Sequence, residues 1–154
     1  MRLSSLSLVR TFLACLALTC LAGHTASTAS ARRVLPNPVL YLSSLEYFTA
    51  GGKNMVRYKF NVMNSDEYPN NMFAAAPDLP PCGQNKSSSR TWVDIYDQSG
   101  KRLYGFCGFT KPDNLNSIWF ALEETVIPPS WVYIELNDRA TNTKYKSNLA
   151  DTTL

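Results

Sequence analysis

Four cysteines, one histidine and twelve carboxylates are the side chains from which this 154-residue chain could build a reactive site. Cys15, Cys20 and His24 fall in the first 31 residues, so Cys82 and Cys107 stand alone over the remainder. Hydrolysis by a serine or cysteine nucleophile needs an adjacent base, usually histidine, and none follows His24. A Ser–Lys dyad has no motif to support it. Zinc needs converging Cys, His or carboxylate ligands, and a redox-active thiol pair needs Cys-x-x-Cys spacing or a nearby base; neither pattern occurs. Adjacent acids occur at Asp66-Glu67 and Glu123-Glu124. Paired carboxylates run glycoside hydrolysis when they face one another, but neighbours on a strand point to opposite faces. No catalytic residue and no cofactor are therefore assigned. Asp94, Asp97, Ser99 and Gly100 gather oxygen ligands of the kind calcium takes, in a sequence that is equally turn chemistry. Asp94 and Asp97 are the weak candidate calcium ligands, and no other metal site is expected.

The remaining chemistry is aromatic. If the aliphatic phase of each strand points inward, Val93 and Ile95 put Trp92 and Tyr96 outward, and Ile118, Phe120 and Leu122 put Trp119 outward. Val132, Ile134 and Leu136 do the same for Trp131 and Tyr133, and Leu103 and Cys107 for Tyr104 and Phe106. These seven aromatics define the candidate binding face. Gathered on one outer sheet, they would form a flat amphipathic platform for stacking on sugars or for a partner protein. Alternatively, neighbouring strands, the N-terminal lead-in or the loop over 64–90 cover them.

The elements that must hold this face begin after an export signal. Arg2 and Arg10 precede an uncharged, mostly apolar run, Thr11 to Ala22, and a small, polar stretch ends in Ala29-Ser30-Ala31. That is the three-part layout of a secretory signal peptide over 1–31, with an apolar run shorter than the roughly 20 residues of a permanent span. The context around Cys15 and Cys20 does not fit a lipid-modified cysteine. Cleavage would leave about 120 residues, enough for one core, secreted or periplasmic, with no stable membrane span. The formal charge would drop from +3 to +1 with Arg2 and Arg10 gone, which gives no electrostatic case for nucleic acid. In an oxidising compartment an isolated cysteine pair is expected to be a disulfide, Cys82 to Cys107.

Beyond residue 32, alternation and turn signals dominate. An extended lead-in over 32–38 precedes a domain over 39–150 and a tail over 151–154. Expected strands are 39–49, 55–63, 92–96, 102–109, 117–123, 131–137 and 144–148. The stretch 64–90 is irregular, with prolines at 69, 77, 80 and 81 and a possible short strand over Met72–Ala76. A loop of that length is usually functional or poorly ordered. Asn85-Lys86-Ser87 within it is a glycosylation sequon, relevant only in a eukaryotic host. About seven short antiparallel strands predict an all-β, two-sheet sandwich with one disulfide.

The closing segment WVYIELNDRATNTKYKSNLA, residues 131–150, resembles the last hairpin of a fibronectin type III or immunoglobulin-like domain, an aromatic-rich alternating strand turning on polar residues. The cysteines do not fall where the immunoglobulin inter-sheet bridge would place them. The chain as a whole is similar to short exported bacterial proteins of unknown function. The expectation is a non-enzymatic binding or interaction module whose partner is a protein or a glycan. A structural envelope domain without a ligand and a carboxylate enzyme acting on polysaccharide are the alternatives.

Overall fold

Strict alternation over 56–62 places Val56, Tyr58, Phe60 and Val62 on one side of a strand and Arg57, Lys59 and Asn61 on the other, and burial follows that division residue by residue. The same rule operates along the chain in the computed structural model, which describes residues 34–83, 86 and 88–153. The expected export segment over 1–31, with Cys15, Cys20 and His24, lies outside the described residues, as does Asn85 of the sequon.

The strands are β1 (Leu40–Ala50), β2 (Lys53–Val62), β3 (Thr91–Asp97), β4 (Arg102–Phe106), β5 (Ile118–Glu123), β6 (Trp131–Asp138), β7 (Thr143–Lys146) and β8 (Ala150–Asp151). They form two antiparallel sheets, one ordered β1-β2-β5 and the other β4-β3-β6-β7, with β8 also pairing β6. The fold is all-β, and the expected disulfide joins Cys82 to Cys107 with the Cα atoms 6.1 Å apart. None of the described helices is long and apolar enough to cross a membrane. The inner faces of the sheets meet in one core built on Phe60, Val93, Ile95, Ile118, Phe120, Val132, Ile134 and Leu136. Phe120 stacks on Tyr58 at 4.9 Å and on Phe60 at 5.9 Å between ring centroids.

The irregular stretch departs from expectation in one respect. Met72–Ala76 is not a strand: Asn70–Phe73 form a 3-10 turn that buries Met72 and Phe73, and only Ala75 bridges, to Ser89. Pro69 starts that turn, and with Pro77 directly after Ala76 the five-residue segment has little room to build a ladder. Thr91 Oγ1 donates to Met72 O at 2.7 Å and holds the turn against β3. Phe73 is fully buried, so this loop supplies core rather than only connection.

The end of the chain is also structured. The expected tail contains the second residue of β8, and Thr152 donates from its N–H to Ser130 O and from its hydroxyl to Pro129 O. Between β7 and β8 the edge is broken at Ser147–Leu149, where Asn148 reaches across to the other sheet. Its Oδ1 accepts from Leu40 N at 2.8 Å and its Nδ2 donates to Leu40 O at 2.9 Å. One side-chain amide thus mimics a strand residue and joins the start of β1 to the edge of the larger sheet. Asn148→Ala is expected to leave both Leu40 groups unmatched and to cost about 2 kcal/mol. Urea unfolding would read that loss, accompanied by faster exchange of the Leu40 amide. An unchanged midpoint would show that water replaces the amide freely.

Candidate binding face

The outer face of the larger sheet is built on its two central strands. Register sets Tyr96 opposite Tyr133, Asp94 opposite Glu135 and Trp92 opposite Asn137. The Tyr96 and Tyr133 rings stack at 5.2 Å with planes 17° apart. On β7, Lys146 lies opposite Glu135 and Lys144 opposite Asn137. Lys146 Nζ sits 3.9 Å from the centroid of Tyr133, and the Arg139 guanidinium sits 4.2 Å from that of Trp92. Asp94 accepts from Arg102 Nε at 2.7 Å and from Asn137 Nδ2 at 3.1 Å. Lys144 bonds Glu135 at 3.2 Å, and this bond, followed by the carboxylate charge, raises the lysine's pKa. Burial first, then the Asp94 and Glu135 charges, raise the Tyr96 phenol, which stays protonated and able to donate at neutral pH.

A shallow, open cleft of about 310 Å³ lies between the sheet and the β6–β7 turn, lined among others by Trp92, Asp94, Tyr96, Asn137, Arg139 and Lys144. The turn forms its wall. Asp138, nearly buried, holds Arg90 by two hydrogen bonds of 2.7 and 2.6 Å and also accepts from Ala140 N and Thr141 Oγ1. Asn142 takes the left-handed conformation that closes the turn, with φ of 52°. Trp92 Nε1 is buried and has no hydrogen-bond partner among the described residues.

The seven candidate aromatics do not share this face. Trp92 and Tyr96 do, and Trp131, 43% exposed, lies on the same side of β6, whereas Tyr133 points to this side but is a correction as a contact residue: it is buried between Tyr96 and Lys146. Tyr104 and Phe106 are a correction. The β3–β4 register slips by one residue between Ile95 and Tyr96, which sets Arg102 opposite Tyr96 but Tyr104 opposite Ile95 and Phe106 opposite Val93. The extra residue, Leu103, is a β-bulge, and a bulge resets the two-residue alternation. Tyr104 and Phe106 therefore turn to the side of the core strands, at the seam with β5. There Trp119, on the outer face of the smaller sheet opposite Lys59, stacks on Tyr104 at 5.0 Å and meets Phe106 at 6.1 Å. Phe109 stacks on Phe106, and Arg57 lies over Trp119 at 4.8 Å. None of the three tryptophans is buried.

The candidate calcium ligands are also apart in their bonding. Asp97 Oδ1 caps its own turn, accepting from Ser99 N, Ser99 Oγ and Lys101 N. The Ser99 hydroxyl bond is the largest cause of its lowered pKa. Asp94 is committed to Arg102, and no three metal-ligating side chains gather among the described residues. Gly105 makes the Asp94–Arg102 pair possible. A Cβ there would fall on the Arg102 guanidinium and within 2.6 Å of Asp94 Oδ1. The adjacent acids give no facing pair either: Glu123 pairs with Lys53, and Asp66 and Glu67 sit in an exposed 3-10 turn.

Sequence reading missed the cations of this face. The partners of Lys144 and Lys146 on β6 and the return of Arg139 over Trp92 depend on strand order, which no local pattern carries. Comparison with family models, curated proteins and solved structures finds no match to this chain.

Proposed function

We propose that this chain is an exported, non-enzymatic binding module that works through the outer face of its larger sheet. The observation that carries this reading is the cleft at Tyr96, placed on the two central strands and bordered by Trp92 and by polar side chains. Ring faces held flat by cross-strand neighbours present contact area at little cost in conformational entropy. Export is supported by the signal-like N-terminus and by the Cys82–Cys107 bridge, which belongs to oxidising compartments. The strand order supports a fibronectin type III or immunoglobulin-like kinship. Strands 1, 2 and 5 oppose 3, 6 and 7 as in a constant-type immunoglobulin sandwich, with the fourth strand joined to the other sheet.

The test is a screen of glycans and envelope proteins read by tryptophan fluorescence. Tyr96→Ala is expected to weaken whatever binds by about 30-fold, the size of a hot-spot loss. Trp119→Phe, at the seam, is expected to leave binding within about twofold. The reverse ranking would move the contact surface to the seam and defeat the proposal.

A further inference from the structure

The charges on this face are not balanced. Arg102 is matched by Asp94 and Lys144 by Glu135, whereas Arg139 and Lys146 have no carboxylate partner among the described residues and lie instead over Trp92 and Tyr133. Resting on the binding-module reading, we propose that the cleft takes a carboxylated saccharide. A sugar ring would lie against Tyr96, which lines the cleft and is backed by the buried Tyr133 ring, its C–H groups against the aromatic surface. The Arg139 guanidinium would swing from Trp92 to meet the sugar carboxylate with paired N–H donors. Lys146 would reinforce the field that attracts it.

Three features select this class. The first is the unpaired Trp92 Nε1–H, a buried donor with no acceptor of its own. A sugar oxygen entering the cleft that Trp92 lines would supply the missing acceptor. Second, Asn137, Asn142 and Thr143 line the same cleft with groups able both to donate to and to accept from hydroxyls. Third, the geometry disfavours a peptide. The floor of the cleft is β3 and β6, whose edges are both paired, and the edge strand β7 reaches it only through Thr143 and Lys144; it also lacks the deep apolar groove that receives a helix. A volume of about 310 Å³ stands at the small end of ligand sites, a size for one or two sugar units.

The test uses the purified protein with trigalacturonate, the neutral trigalactoside and triglutamate as probes, followed through the three indole N–H signals in NMR. Trigalacturonate is expected to move the Trp92 signal and leave that of Trp119 in place, binding at least about tenfold tighter than either control. Trp92→Phe keeps an aromatic ring and removes the donor; it is expected to weaken trigalacturonate binding about tenfold. Arg139→Gln is expected to bring it down to the affinity of the neutral sugar. Both substitutions are mild enough to leave the amide spectrum of the core unchanged, which the same experiment records. Absence of a Trp92 response to trigalacturonate up to about 10 mM, or triglutamate binding as tightly, overturns the saccharide. A Trp92 response to triglutamate or to an envelope protein alone overturns it while leaving the binding-module reading standing.

Discussion

Replacing Cys82 and Cys107 together by serine is expected to lower the free energy of unfolding by about 3.5 kcal/mol, the chain-entropy value for a closure of this size, whose bridged residues are 25 apart. Domains of this kind have about 5–15 kcal/mol in total, so the variant keeps its fold with a narrow margin. For about 120 residues the loss corresponds to roughly 10–15 °C in Tm. The position of the bridge explains why the effect is global. The bonds Arg90 N to Ala74 O, Ala76 N to Ser88 O and Ser89 N to Cys107 O stitch the base of the loop to itself and to the residue after β4. Ser89 Oγ adds buried bonds to Thr91 O and Cys107 O. The bridge thus closes a ring that contains β3 and β4 entire, and the denatured chain without it gains freedom across half of the larger sheet. Denaturant titration should show a lower midpoint, with a steeper dependence on denaturant because the unbridged chain exposes more surface. An unchanged midpoint would place the stability of the loop in the buried Met72 and Phe73 and its base bonds alone.

The sequence carried the sandwich because its signal is local. Alternation in 56–62, 91–97 and 132–136 reports which residues face inward, and every inward assignment on β2, β3 and β6 is buried. The bridge was legible for a different reason: in a compartment that oxidises thiols, two cysteines leave only one pairing. Strand number was nearly complete, and the missing strand, β8, is two residues long with a single apolar side chain, too short to show a period.

What failed was whatever a single residue of register decides. Nothing in Arg102-Leu103-Tyr104 announces a bulge, yet it sends Tyr104 and Phe106 to the seam, where they join Trp119 of the smaller sheet, so the one expected platform becomes a cleft and an aromatic cluster. The charges of the cleft were hidden in the same way. Arg139 sits in a turn, where sequence predicts solvent, and it lies over Trp92 only because the turn's backbone is fixed: Arg139 N donates to Arg90 O at 3.0 Å, beside the Arg90–Asp138 pair. A side chain 48 residues upstream therefore shapes the wall of the candidate site.

Arg90→Ala is accordingly expected to cost about 3 kcal/mol at neutral pH, the size seen when one partner of a buried pair is removed. The Asp138 side chain is 4% exposed against 27% for Arg90, so the carboxylate left behind has little water to turn to. The pH dependence separates this from a mere loss of packing. In the native protein burial works to raise the Asp138 carboxyl, and the Arg90, Thr141 and Ala140 hydrogen bonds with the Arg90 charge outweigh it, so its pKa is lowered. A lowered folded value means that the pair's contribution is present above the ordinary carboxylate value of about 3.9 and is lost as pH falls through the folded value. Without Arg90, burial dominates and the carboxyl protonates more readily in the folded state. The gap between the two proteins should therefore be widest at pH 7 and close toward pH 3. Asp138→Leu combined with Arg90→Met, which removes both charges and keeps volume, should recover most of the loss. A gap that stays constant with pH would mean that Arg90 acts through its methylenes rather than its charge. If it does act through charge, Arg90→Ala should also free the 139–142 turn, so that Arg139 no longer rests on Trp92 and the cleft loses its wall before the sandwich loses its core.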